Sequence, residues 1–187
     1  MAVRHAPAIV SHMRIIGLAG WSGAGKTTLV TKLIPLFLAR GVTVSTVKHA
    51  HKGFDIDLPG KDSHRHRMAG ATEVFVASGV RWALVHELRD EPEPDLVDII
   101  PMMAPVDLLI VEGFKRHRHP KIEVYRREVG KPLLHPDDSY VVAVASDVPL
   151  PDAPIPVIPL DDVEKITDAM LAEAMPAERL KPLPPKS

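Results

Sequence analysis

The chain has 187 residues, 45% hydrophobic and 25% charged, enough to build one substantial core. Its 23 Lys and Arg nearly balance 24 Asp and Glu, and the net charge of -1 argues against a nucleic-acid-coating protein. With no cysteine, disulfide scaffolds, thiolate metal sites and cysteine nucleophiles are excluded.

No apolar run approaches the roughly 18 residues that cross a bilayer. No membrane contact and a cytoplasmic location are therefore expected. Residues 1–12 read as a disordered extension outside the fold, 13–175 as a single domain and 176–187 as a Pro-rich tail. Residues 13–19 (MRIIGLA) form a continuous apolar run, the pattern of a strand buried on both faces. After a Gly-rich turn, residues 27–41 place Leu29, Leu33, Leu36 and Phe37 on one helical face. Gly41 would end that helix, and Pro35 predicts a kink or an early stop near Ile34. Residues 42–47 are β-branched and read as a strand, followed by a polar loop and a helix over 61–69. Residues 72–77 and 80–88 form two strands joined at Ser78-Gly79, a hairpin expected at one edge of the sheet. A turn leads to a helix around 95–103. Strands are expected over 106–111, 122–125 and 140–145, and an amphipathic helix over 161–175. Of 19 prolines, nine lie at or after Pro149, so that stretch reads as extended connection and tail. Strands alternating with helices predict an α/β, doubly wound, mainly parallel sheet, and the Gly-Lys-Thr motif at Gly25-Lys26-Thr27 makes it one of the P-loop NTPase kind.

Gly20-Trp21-Ser22-Gly23-Ala24-Gly25-Lys26-Thr27 matches G-x-x-x-x-G-K-[ST] between a predicted strand and a predicted helix. Glycines let the backbone wrap closely, so successive N–H groups face phosphate oxygens, and the helix N-terminus adds its positive end. Lys26 supplies a cation to the β/γ-phosphates, Thr27 offers a hydroxyl to Mg²⁺, and Thr28 follows on the first helical turn. A second carboxylate is expected at the end of a neighbouring buried strand. Glu112 sits there, directly after Leu108 to Val111, and is assigned to Mg²⁺ and catalysis with Lys26. Asp107, at the other end of that strand, reads as structural.

Three basic groups follow strand ends or lie close to them: Lys48, His49, His51 and Lys52; Lys61, His64, Arg65, His66 and Arg67; and Lys115, Arg116, His117, Arg118, His119 and Lys121. Strand C-termini line the ligand edge of a doubly wound sheet, so these groups make candidates for a second anionic ligand, His49, Lys61, Arg65, Arg67 and Lys115 foremost. Solvated loops are the plainer alternative. Three H-x-H pairs raise a metal site, but their cationic surroundings disfavour one.

The segments GLAGWSGAGKTTL, TVKHAHKGFDIDLPGKDSHRHRMAGA, RWALVHEL, DLLIVEGFK and VVAVASDVPL occur in order. Together they resemble the molybdopterin-guanine dinucleotide biosynthesis protein B family, GTP-binding adaptors of molybdenum-cofactor maturation. The resemblance spans about residues 13–175. Its most particular stretch is Asp57-x-Pro59-Gly60-Lys61-Asp62-Ser63 with Arg65-His66-Arg67. It implies GTP and Mg²⁺ binding, weak GTP hydrolysis, a homodimer, and partnership with the molybdenum cofactor guanylyltransferase. The second ligand would then be a molybdopterin species, whose phosphate suits the basic loops.

No N/T-K-x-D motif is present to read guanine. Asp147, directly after a buried strand, is the candidate reader, with a turn-forming role as its alternative. No water-positioning Gln is identifiable, in keeping with slow turnover. The rival function is a small-molecule kinase of the nucleoside-kinase type. It would use Asp55, Asp57 or Glu112 as base and Arg116 and Arg118 as lid cations.

Overall fold

A computed structural model describes residues 12–50 and 53–183, which divide into two compact units, residues 50–94 forming the smaller. The expected extension over residues 1–11 lies outside the described residues. In chain order the main unit contains β1 (Arg14–Ala19), α1 (Lys26–Ala39) and β2 (Val44–Lys48). The smaller unit holds α2 (Asp62–Met68), β3 (Glu73–Ala77) and β4 (Trp82–His86). The main unit resumes with α3 (Leu96–Ile99), β5 (Leu108–Glu112), β6 (Lys121–Tyr125) and β7 (Val141–Ser146). It closes with β8 (Val157–Pro159), α4 (Val163–Glu173) and β9 (Met175–Pro176).

Six strands run in the order β2-β5-β1-β6-β7-β8, every neighbouring pair parallel. This is the expected doubly wound α/β sheet. Alternate side chains of β1 serve opposite faces. Ile16 and Leu18 pack with Leu29, Leu33 and Phe37 of α1 and Ile166 and Met170 of α4, while Met13 and Ile15 pack with Leu96, Ile100, Leu109 and Val111. Cover on both faces explains why β1 and β5 read as unbroken apolar runs. The helix α1 runs through Pro35 to Ala39, correcting the expected early stop. Leu33 and Phe37, both fully buried, anchor it on either side of the proline.

Two further expectations are corrected. Residues 176–180, expected in the tail, are packed on the main unit. β9 pairs antiparallel with Arg14 and Ile15, and Ala177 and Leu180 join the second core. The Arg14 guanidinium donates to the carbonyl of Ala174 at 3.1 and 2.7 Å and to that of Leu171, satisfying carbonyls at the end of α4. β8, hidden in the Pro-rich connection, is an edge strand, where a proline costs no ladder bond.

The β3–β4 hairpin is antiparallel as expected, but it makes a two-stranded sheet of its own rather than extending an edge of the large one. On one face Phe75 stacks on Trp82 with centroids 5.3 Å apart. With Leu84 beside them, these side chains are 60%, 60% and 46% exposed.

Candidate functional site

The phosphate-loop motif lies between β1 and α1, as its chemistry requires. Gly20 has φ 142°, and a Cβ there would stand 2.6 Å from the carbonyl oxygen of Val124, so only glycine fits against β6. Ala24 is buried beneath the loop, while Ser22, Gly23 and Thr28 face its open side. Gly25, also at positive φ, caps α1.

The Lys26 ammonium donates to the carbonyls of Gly20 and Trp21 at 2.9 and 3.0 Å. Burial lowers its pKa, Glu112 opposes that shift, and Lys115 and Lys48 add to it. The Thr27 hydroxyl and a Glu112 carboxylate oxygen are 3.4 Å apart, and Lys48 Nζ stands 3.4 Å from each. A cation thus already sits beside a hydroxyl and a carboxylate, both hard oxygen donors of the kind Mg²⁺ takes. The parallel register sets this up by placing Lys48 of β2 opposite Glu112 of β5.

Trp21 occupies the second loop position and was not singled out by the motif. Its indole N–H donates to Pro132 at 2.8 Å, and Lys115 and Lys131 lie 5.0 and 5.9 Å from its ring. These distances suit cation–π attraction. The segment carrying Lys131 is pinned from below by the fully buried Glu123, which accepts from the backbone N–H groups of Leu134 and His135. Burial raises the pKa of Glu123. Arg126, also unsuspected from sequence, donates from Nε to Ala24 O at 3.2 Å. Arg126 lines a cavity of about 630 Å³ together with Lys32, Asp147 and Asp161. Asp147 accepts from the backbone N–H of Arg127 at 3.0 Å.

The basic groups divide. The backbone N–H of His49 donates to the backbone carbonyl of Glu112 at 2.9 Å, and its ring tilts against Phe114. Lys115, Arg116 and Arg118 face outward, but the other members of their group are corrected. His117, His119 and Lys121 are at most 5% exposed. His117 is bonded to Asp95, and Lys121 donates to His117 O at 2.7 Å and to Asp138 at 3.1 Å. The His119 pKa is pushed down to about 3, first by burial, then by Lys121 and His117.

In the smaller unit, Lys61 and Arg65 are exposed on α2 or just before it. Arg67 is corrected as an anion ligand, because its fork is occupied by Asp57 at 3.0 Å, Asp55 at 2.8 Å and Glu87. The same bonds tie down two candidate bases of the kinase reading. Asp107 is structural as expected, accepting from the N–H and hydroxyl of Thr43. Among the described residues no cluster of His, Asp and Glu is placed to hold a metal, and His51 lies outside them. No helix among the described residues is long and apolar enough to cross a membrane.

The family model for molybdopterin guanine dinucleotide synthesis protein B matches residues 15–147. The chain is 45% identical over 157 residues to the molybdopterin-guanine dinucleotide biosynthesis adapter protein of Escherichia coli K12, covering 82% of this chain and 89% of that one. The chain belongs to the molybdopterin guanine dinucleotide synthesis protein B family. The family's Haemophilus influenzae adapter protein is 43% identical over 139 residues, with 73% of this chain and 76% of the relative covered. Among solved structures, the MobB homologue of Bacillus stearothermophilus superposes with a TM-score of 0.62 at 25% identity, covering 85% and 96% of the two chains. The Bacillus subtilis MobB structure shares the fold, with a TM-score of 0.67, 22% identity and 86% and 98% coverage.

Proposed function

We infer that this protein is a GTP-binding adaptor with slow GTP hydrolysis in molybdopterin-guanine dinucleotide formation. It would assist the guanylyltransferase that attaches GMP to molybdopterin. The observation that carries the reading is the meeting of Lys26 and Thr27, at the start of α1, with Glu112 of β5 and Lys48 of β2 beside a phosphate-loop motif in a member of this family. Successive N–H groups of residues 22–28 hold the phosphates, and Lys26 turns from the loop carbonyls to the β/γ-oxygens. Thr27 and Glu112 would hold Mg²⁺, which neutralises developing phosphate charge when bound. The base enters the cavity lined by Asp147. Slow turnover fits the lack of a glutamine to position the attacking water, since the sequence contains none.

His49 and Lys115 at the loop, with Lys61 and Arg65 of the smaller unit, are the remaining candidates for the pterin phosphate. The exposed Phe75–Trp82–Leu84 face supports a homodimer, since an apolar face of this kind gains from cover by a second copy. A cytoplasmic location belongs to the same reading.

Calorimetric titration with GTP and with ATP, each with Mg²⁺, tests it. GTP is expected to bind more tightly, and Lys26→Ala to abolish triphosphate binding without loss of the fold. Undiminished binding by that variant would remove the phosphate-loop assignment. Nucleotide consumption that rises in proportion to an added acceptor alcohol would instead favour the kinase. Glu112→Gln should leave Mg²⁺-free binding intact while weakening the gain from Mg²⁺ about tenfold. An equal gain in both proteins would place the metal elsewhere.

A further inference from the structure

The main unit's cavity lies at the carboxyl ends of β7 and β8, where the paired residues Ser146 and Pro159 close the two strands. Ligands of open α/β sheets bind along this edge. Val148, Pro149, Leu150 and Leu160 give it apolar walls suited to a flat ring. Arg126 belongs both to this lining and to the phosphate loop, through its bond to Ala24. A ligand with phosphates at one end and a ring at the other would meet Arg126 between the two.

Two acidic residues line the cavity, Asp147 and Asp161, and they are not equivalent. Asp147 spends Oδ1 on the N–H of Arg127, which fixes the turn after β6 beside Arg126. Among the described residues, the Asp161 carboxylate has no hydrogen-bond or salt-bridge partner. Only its backbone carbonyl is engaged, by Val163 N at 2.9 Å. It also directly precedes Asp162, the N-cap of the 11-residue α4, where the helix's positive end favours a negative charge.

Guanine presents two adjacent donors, N1–H and the 2-amino group, and a carboxylate with both oxygens available accepts both. Adenine presents a lone pair at N1, which a carboxylate repels. We propose that Asp161 is the residue that selects guanine, and that Asp147 is a positioning residue for the Arg126–Arg127 turn. The proposal rests on the GTP-binding reading and adds the identity of the base-reading group.

The test measures binding of GTP, ATP and xanthosine triphosphate to the full chain and to two variants, with Mg²⁺ throughout. Xanthine carries a carbonyl where guanine has its 2-amino group, so an amide in place of the carboxylate should match it. Asp161→Asn is expected to lose about tenfold or more in GTP affinity and to gain for xanthosine triphosphate, inverting the preference. That gain also shows that the variant is folded. Asp147→Asn is expected to weaken GTP and ATP equally, with no gain for xanthosine triphosphate. A wild-type preference for GTP with an unchanged ratio in Asp161→Asn overturns the assignment to Asp161 alone. Inversion in Asp147→Asn instead overturns it in favour of Asp147. Equal binding of GTP and ATP by the wild type overturns guanine selection itself.

Discussion

The buried histidines show how residue-level charge departs from composition. In Arg116-His117-Arg118-His119, alternation with period two sends both arginines outward and both histidines into the protein. That period was the readable signal, and a count of cations hides it. His119 has a consequence for pH. Its pKa falls from 6.5 to about 3 on folding, so the unfolded chain binds the extra proton between those values. Stability should therefore be full above about pH 6.5 and decline as pH falls toward 3, by a few kcal/mol at the order-of-magnitude level. Urea unfolding of wild type and His119→Gln across this window is the check. The variant should show a shallower acid decline, and parallel curves would mean that other groups govern it.

At the scale of elements, what was legible in the sequence was what is local. β1, the phosphate loop and α1 are encoded in one contiguous stretch, and Glu112 is marked by the apolar run before it. The C-terminal segment was misread because nine prolines suggest extension, whereas its structural weight rests on two apolar side chains, Ala177 and Leu180, over a core formed far away in sequence. No periodicity can reveal a contact between residues 13 and 177. Leu180→Ala should accordingly cost about 2–3 kcal/mol, measured by chemical denaturation. A loss below about 0.5 kcal/mol would class it as a surface change. Arg126 and Lys131 escaped notice, and Lys48 was read only as one of a basic group rather than as the partner of Thr27 and Glu112, for a related reason. Each reaches the loop from a different strand or connection, and only the register of β2 on β5 or the course of the chain after β6 brings it there.

For the whole molecule, the division into two units changes how the DIDLPGKDSHRHR stretch is understood. Arg67 gathers Asp55, Asp57 and Glu87 into one ion cluster inside residues 50–94, and no residue of α2 is buried to share that task. Its bonds to Glu87 and Asp57 raise its pKa further, so the guanidinium keeps its charge at any working pH. Arg67→Met should leave three carboxylates without their cation. Amide hydrogen exchange is expected to quicken across residues 53–94 while β1, β5 and β6 keep their protection. Uniform loss of protection would mean that the two units unfold as one.

The chain has two tryptophans, and they fall one to each unit: Trp21 on the phosphate loop, Trp82 on the exposed hairpin. The protein therefore carries its own pair of optical reporters. With Trp82→Phe, emission comes from an indole bonded to Pro132 and flanked by two ammonium groups, so that any rearrangement of the loop will register in its wavelength. With Trp21→Phe, the remaining signal belongs to the hairpin face and would shift blue if the proposed second copy covered it. Triphosphate binding and self-association can thus be followed separately in unlabelled protein.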